Sequence, residues 1–303
     1  MVDPLLFIAI PTRNRSGYLR ELLGTLADQM LGLGDRASQV ILHVSDNTST
    51  DETPRVVAAV RERLAALSHY RHPENVGAGR NIIACVRAST GEFTWVLGDD
   101  EVVCPGAVAH LLDLLSAAPK PDLTLCFDSN YDLQLTRPHR FASFREYAAA
   151  CARTNPHALI EHTLVSSNVF RTGLFDVQVA EASLATDYPH MYALMSGLLA
   201  QGGLVHIMDH DVITVRDRRA PAVDGEWPSD LEASWMSLLQ WQREHFGVEE
   251  LQPEPALERV RQKLIHNLTR HPIRYVRNNM HALRDPRAWV WFLRRLTRHM
   301  LGR

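Results

Sequence analysis

Asp99, Asp100 and Glu101 place three carboxylates in consecutive positions, a concentration of like charge that is costly unless water or a cation relieves it. Oxygen donors of this kind suit magnesium or manganese, which keep several waters while bridging a protein carboxylate to substrate phosphates. An ordinary acidic turn is the competing reading. A second cluster spans Asn75, Gly77, Gly79, Arg80 and Asn81. Its glycines allow close backbone approach at a helix start, its N–H groups favour phosphate, and Arg80 adds a cation. It is neither a GxGxxG nor a Walker loop, so a simple turn explains it as well. The third cluster is the polar run 45–51, in which Asp46 or Asn47 could meet a base or ribose edge. Thr50 or Asp51 accounts for part of it as a helix cap. Farther on, His206, Asp209, His210 and Asp211 resemble a metal set, but alternation along a strand and turn explains them more simply than zinc does. No Ser/His/Asp nucleophile elbow is visible.

The elements needed to position these groups can be read from period. Residues 5–10 form a first strand, after which Pro11 blocks ladder pairing and Ser16 caps a helix carrying Leu19, Leu22, Leu23 and Leu26 on one face. Residues 40–44 form a second strand. Pro54 then opens a helix with Val57, Val60, Leu64 and Leu67 at helical spacing. Residues 70–72 are a short third strand, and a helix runs from 77–79 to about 89. The apolar run 93–97 reads as a strand buried on both faces that delivers the acidic cluster at its carboxyl end. In open α/β sheets ligands bind at that end. Beyond it come a helix after Pro105, a strand at 123–127, an irregular stretch to about 167, a helix over 187–199, and strands at 204–208 and 212–215. The remainder reads as helical. The alternation implies an α/β fold with a mostly parallel sheet flanked by helices.

Composition narrows the classes. The chain has 303 residues, 46% of them apolar and 22% charged, with a formal charge of −3 if its 15 histidines are neutral. That describes a soluble globular protein and excludes a uniformly basic nucleic-acid binder. Cys85, Cys104, Cys126 and Cys151 lie far apart without a CxxC pair, which suits reduced thiols in the cytoplasm. The short apolar run after Asp3 and Pro4 lacks the form of a secretory signal, and no window approaches a membrane span. Charge is uneven. Residues 1–220 hold 19 basic and 25 acidic side chains, and 221–303 hold 13 and 10. From 259 to 303 there are 12 basic residues against the single acid Asp285. A boundary is expected near 220, among Arg218, Arg219, Pro221, Gly225 and Pro228.

Four segments in order make a more specific pattern. FIAIPTRNR at 7–15, VSDNTSTDET at 44–53, PENVGAGRN at 73–81 and GEFTWVLGDDE at 91–101 resemble the successive motifs of family 2 glycosyltransferases. The similarity extends more loosely to about residue 217. It implies a GT-A fold with a Rossmann-like sheet; the helical, basic C-terminal extension lies beyond it and is read from the charge of the tail. The resemblance also implies an enzyme that takes a nucleotide sugar, holds the diphosphate through a divalent cation (Mn2+ or Mg2+), and transfers the sugar with inversion.

Carried over by position, the resemblance puts Pro11, Thr12 and Arg13 where the first strand meets the nucleotide, and Asp46 with Asn47 at the base-recognition pair. Many relatives have two aspartates there; Asn47 departs from this, and an amide donates as well as accepts. Uracil and thymine are the expected bases. Gly77, Arg80 and Asn81 match the third helix of the family. Asp100 aligns with its metal-ligating aspartate. Gly98 stands where many members have the first acid of the DxD signature, leaving Asp99 as the nucleotide-side partner and Glu101 as a supporting or alternative ligand. Relatives supply the catalytic base as an aspartate before a later helix. Asp187 in ATDYPHMYAL matches it, although Thr186 replaces the usual glutamate. The competing reading has Asp187 merely capping that helix. Tyr188 and His190 either shape the acceptor site or pack. In some relatives a later histidine completes the cation's coordination, for which His206 and His210 are the candidates.

The basic tail interleaves arginines such as Arg287, Arg294 and Arg298 with Trp289, Trp291 and Phe292. It suits an interfacial helix on anionic lipid, where each nearby basic residue contributes on the order of 1 kcal/mol. A helical cap or homodimer contact fits equally, and RNA binding less well. The expectation is therefore a cytoplasmic enzyme, peripheral at the inner face of the membrane if the tail binds lipid. It has a catalytic domain over 1–220 and a helical region over 221–303. Its donor is a UDP- or dTDP-sugar, and its acceptor is a glycan or lipid-linked sugar of surface polysaccharide or glycoconjugate assembly, with no nucleic acid involved. The rivals are a sugar nucleotidyltransferase and an inactive membrane-tethered scaffold of the same fold.

Overall fold

The structure, a computed structural model, describes residues 4–126, 140–154, 158–208, 211–214 and 231–254. Its strands are β1 (Leu6–Thr12), β2 (Val40–Asp46), β3 (Leu67–Arg71), β4 (Phe93–Val96), β5 (Val102–Val103), β6 (Leu123–Leu125), β7 (Arg140–Phe141), β8 (Asn168–Arg171), β9 (Val205–Ile207) and β10 (Ile213–Thr214). The helices are α1 (Ser16–Gly32), α2 (Thr53–Arg63), α3 (Ala78–Arg87), α4 (Ala107–Ser116), α5 (Phe144–Thr154), α6 (Ala158–Glu161), α7 (Val177–Ala182), α8 (Pro189–Gln201) and α9 (Leu231–Phe246).

The main sheet runs β3-β2-β1-β4-β8-β6-β9-β7. β1 is parallel to both β2 and β4, whereas β8 runs antiparallel between β4 and β6. The chain moves outward from β1 to β3 and then crosses back to place β4 on the other side of β1. That reversal falls at β1, and in open α/β sheets ligands bind outside the carboxyl ends of the strands at such a point.

Strand alternation builds two cores. Leu6, Ile8 and Ile10 of β1 join Phe93, Trp95 and Leu97 beneath Leu19, Leu22 and Leu23 of α1 and Leu111 and Leu112 of α4. Phe7, Ala9 and Val96 face the opposite way, into a core with Ile83 of α3, Tyr147 of α5 and Leu194 of α8. Each fully buried leucine or phenylalanine contributes about 1.5–3 kcal/mol, so the period-2 pattern fixes which face each strand presents. α9 lies beyond the boundary expected at 220, and its Leu238, Leu239 and Phe246 are buried in this second core.

Several expectations are corrected. Pro11 does not end β1, which continues to Thr12 with Pro11 in register with Ser45. The pairing with β4 stops at Ala9, so Pro11 occupies a one-sided stretch where a missing N–H is tolerated. Ser16 is the first residue of α1, not its cap. The cap comes from Asp51, which accepts the Ser16 N–H at 2.8 Å through one oxygen and the Thr53 N–H at 3.0 Å through the other, serving two helix starts at once. The stretch to 167, read as irregular, contains β7, α5 and α6. β8 was not expected at all. The basic tail, Asp209 and His210 lie outside the described residues. Among the described residues no helix is long and apolar enough to cross a membrane.

Candidate active site

Thr12 ends β1 and Asp99 follows β4, and the parallel pairing of these strands brings the two together. The Thr12 hydroxyl donates to Asp99 Oδ2 at 2.7 Å. Arg15, three residues past the strand, donates from Nη1 to Asp99 Oδ1 at 3.0 Å. The same nitrogen lies 3.1 Å from Asp100 Oδ2. Asp99 is thus enclosed, only 4% exposed, and burial pushes its carboxyl up to about 6, with adjacent Asp100 adding to the rise and Arg15 and Thr12 opposing it. Asp100 keeps 36% of its side chain in solvent.

The turn carrying these acids is clamped from β8's side of the sheet. Gly98 N–H donates to Ser166 Oγ at 2.9 Å, and the buried Trp95 indole donates to the Ser166 carbonyl at 2.8 Å. A Cβ on Gly98 would meet Ser166 Oγ at 3.3 Å and Asp100 Oδ1 at 3.4 Å, so a side chain there would press on both sides of the turn. Glu101 closes the turn with its amide on the Gly98 carbonyl at 3.3 Å and is itself buried. Immediately afterwards β5 pairs with β10.

At the end of β2, Asp46 is fully buried. Its Oδ1 accepts the Ser49 N–H at 2.8 Å. Its Oδ2 has no hydrogen-bond partner among the described residues and is ion-paired with Arg71 Nε at 3.6 Å and His69 Nε2 at 4.0 Å. A buried carboxylate oxygen left without a donor costs free energy unless something supplies one. Asn47 is differently placed: its amide donates to Asn75 Oδ1 at 2.7 Å and accepts the Val76 N–H at 2.9 Å. Both ends of that side chain are engaged in holding the 75–77 loop. Asn81 is likewise internal, donating to the Ser45 carbonyl at 3.1 Å and accepting from the Ser45 hydroxyl at 2.7 Å. Gly77 caps α3 at φ +82°, a conformation that favours glycine. Arg80 stands exposed one turn on, and Pro11 and Arg13 are half-buried.

Asp187 reaches the same rim through packing. Gly79 has no side chain, and a Cβ there would meet Leu184 at 3.1 Å and Pro189 at 3.4 Å. The segment that carries Asp187 therefore lies against the start of α3. Tyr188, not Asp187, holds the N-cap position of α8, and its side chain makes no cap hydrogen bond. The Asp187 carboxylate accepts a hydrogen bond from Ser234 of α9. His190 donates from Nε2 to the Thr163 carbonyl at 2.9 Å, inside the fold. His206 lies within β9, where its Nδ1 accepts from Arg140 Nε at 3.2 Å.

The acids present suit a hard dication. Asp100 is partly exposed with one oxygen on Arg15, and among the described residues no group of three His, Cys, Asp or Glu could enclose an ion. One or two carboxylate oxygens are what magnesium or manganese takes when phosphates and water complete its coordination. Arg15 and Ser166 were not anticipated from sequence. The available signal was a basic residue at a helix N-terminus, where the macrodipole disfavours a cation.

A strand-order reversal with acids at the carboxyl ends of the strands beside it defines a GT-A fold. The chain belongs to the glycosyl transferase family 2, whose profile matches residues 7–170. It is 26% identical over 227 residues to the abequosyltransferase RfbV of Salmonella typhimurium, a match covering 70% of this chain and 66% of that protein, just under two thirds. A shorter stretch of 61 residues is 48% identical to the validoxylamine A glucosyltransferase of Streptomyces hygroscopicus, covering 20% of this chain and 14% of that one. Among solved structures, S. aureus TarS 1-349 in complex with UDP-GlcNAc aligns with a TM-score of 0.57 at 16% identity, covering 79% of this chain and 66% of that one. The mannosyltransferase PcManGT from Pyrobaculum calidifontis, in complex with GDP-Man and Mn2+, aligns at 0.55 and 14% identity, covering 98% and 85%.

Proposed function

We propose that the protein is a cation-dependent, inverting glycosyltransferase that moves one sugar from a UDP- or dTDP-sugar to a glycan or lipid-linked acceptor in surface-polysaccharide or related glycoconjugate assembly. The observation that carries this reading is the meeting of Thr12, Asp99, Arg15 and Asp100 at the ends of β1 and β4, one strand away from Asp46 at the end of β2. An acceptor atom there suits the imide N–H that uracil and thymine share, with Asn47 shaping the neighbouring loop. The start of α3 at Gly77 would border the phosphates, where Arg80 offers a solvent-facing charge, while Asn81 ties that helix to Ser45 of β2.

Asp100, with Glu101 in support, would hold the dication, which when bound neutralises charge on the departing diphosphate. Asp187 takes the proton of the acceptor hydroxyl as that oxygen attacks the anomeric carbon from the face opposite the diphosphate. Asp99, locked by Thr12 and Arg15, sets the position of the acidic turn. A cytoplasmic enzyme held at the inner leaflet through 259–303, or dimerised through the same segment, belongs to the same proposal.

The test measures donor consumption and product identity with purified protein, manganese and a panel of nucleotide sugars. Release of nucleoside diphosphate is expected; release of pyrophosphate would identify a nucleotidyltransferase instead. Asp100→Ala should keep the fold and abolish transfer, and full activity of that variant in metal-free buffer would end the cation assignment. Asp187→Asn should keep donor affinity and lower kcat by about 10²–10⁴-fold; unchanged turnover would remove Asp187 from the reaction.

A further inference from the structure

Arg15 is the residue whose placement the reaction does not by itself explain. It sits at the N-cap position of α1, with its carbonyl accepting the Leu19 N–H at 3.0 Å. A helix N-terminus repels a cation, and the capping there is done by Asp51, so the guanidinium does nothing for the helix. Its Nη1 is shared between Asp99 Oδ1 at 3.0 Å and Asp100 Oδ2 at 3.1 Å. The two acids differ in freedom. Asp99 has its other oxygen on Thr12 and is 4% exposed, whereas Asp100 is the more open partner. A positive group fixed to the backbone thus occupies one face of the carboxylate assigned to the cation.

We infer that Arg15 is an internal counter-cation: it holds Asp100 against metal loading until a nucleoside diphosphate brings compensating negative charge, so that cation and donor bind together. The inference rests on the reading of Asp100 as a cation ligand. Without nucleotide, an arriving dication must displace Asp100 from Arg15 and then sit beside a like charge. With the diphosphate present, its oxygens offset that repulsion and complete the coordination. Arg15 is a positioning residue in this account, and it acts through Asp100.

The test is Mn2+ binding to the full chain, read by calorimetry or by the loss of the free-ion paramagnetic resonance signal, with and without UDP. For the wild type, UDP should raise Mn2+ affinity by on the order of tenfold or more. Equal affinity with and without UDP would overturn the inference, and this arm needs no variant. Arg15→Gln should bind Mn2+ without nucleotide about tenfold more tightly than the wild type, shrinking the UDP effect, while Arg15→Lys, which keeps the charge, should retain most of it. Unchanged or weaker Mn2+ binding by a folded Arg15→Gln protein would also overturn it. Asp100→Asn separates the two readings. Loss of Mn2+ binding in that variant upholds the cation site whatever Arg15 does, and retained binding removes the site and this inference with it.

Discussion

Ser234 donates a hydrogen bond to the carboxylate of Asp187, joining α9 to the turn that leads into α8. The contact crosses from the last described helix to the rim of the active site and lies outside the stretch matched by the family profile, 7–170. A carboxylate on an exposed turn rotates freely unless something holds it, and under the proposed role of Asp187 a fixed donor limits which oxygen takes the proton. Ser234→Ala should therefore lower kcat by about three- to tenfold, with donor KM and thermal stability nearly unchanged, because a hydrogen bond to a charged group is worth about 1.5–3 kcal/mol, less when exposed. Ser234→Thr, which keeps the hydroxyl donor, should restore the rate. Wild-type kinetics in the alanine variant would leave Ser234 a surface contact.

Gly197 tests the packing of α8 on the turn before it. Alanine is the better helix former by roughly 0.5–1 kcal/mol, so propensity alone expects Gly197→Ala to stabilise. A Cβ at that position would lie 1.7 Å from the Leu174 carbonyl oxygen, and backbone cannot yield as a side-chain tip can. The substitution should cost about 3 kcal/mol or more in urea unfolding. A stabilised variant would mean that α8 does not pack as described.

Acid should weaken the fold. Burial lowers His43 and His190 to about 4 and His162 to about 3. The unfolded chain takes up these protons near pH 6.5, while the folded chain resists until lower pH. Their contribution is therefore complete above about pH 6.5 and is lost as pH falls toward 4. Asp99, raised from 3.8 to about 6 by burial, works with the opposite sign, losing stability as pH rises through that range. Three groups against one decide the direction. The urea midpoint should drop between pH 7.5 and pH 5, and His162→Phe, whose ring sits between Phe144 and Tyr147, should flatten the slope. An equal midpoint at the two pH values would contradict this.

What the sequence determined by itself was most of the first hundred residues: the strands that became β1, β2 and β4, the helices between them, and the acids placed at the end of β4, although Leu67, read onto the face of the second helix, opens β3 instead. Those patterns are local, because burial repeats every second residue in a strand and every third or fourth in a helix. Even so, α5 went unread although Phe144, Tyr147, Ala148 and Cys151 mark one buried helical face, and β8 is too short, at four residues, to show a period. Tertiary structure alone decided that Arg15 lies between Asp99 and Asp100, that Asp51 caps two helices, that Asn47 turns inward while Asp46 is buried beside Arg71, and that Ser234 reaches Asp187. Arg15 and Asp99 stand 84 positions apart in the chain. No local pattern encodes such a pair, because it exists only once the sheet order has set the ends of β1 and β4 side by side and the water between two opposite charges has been excluded.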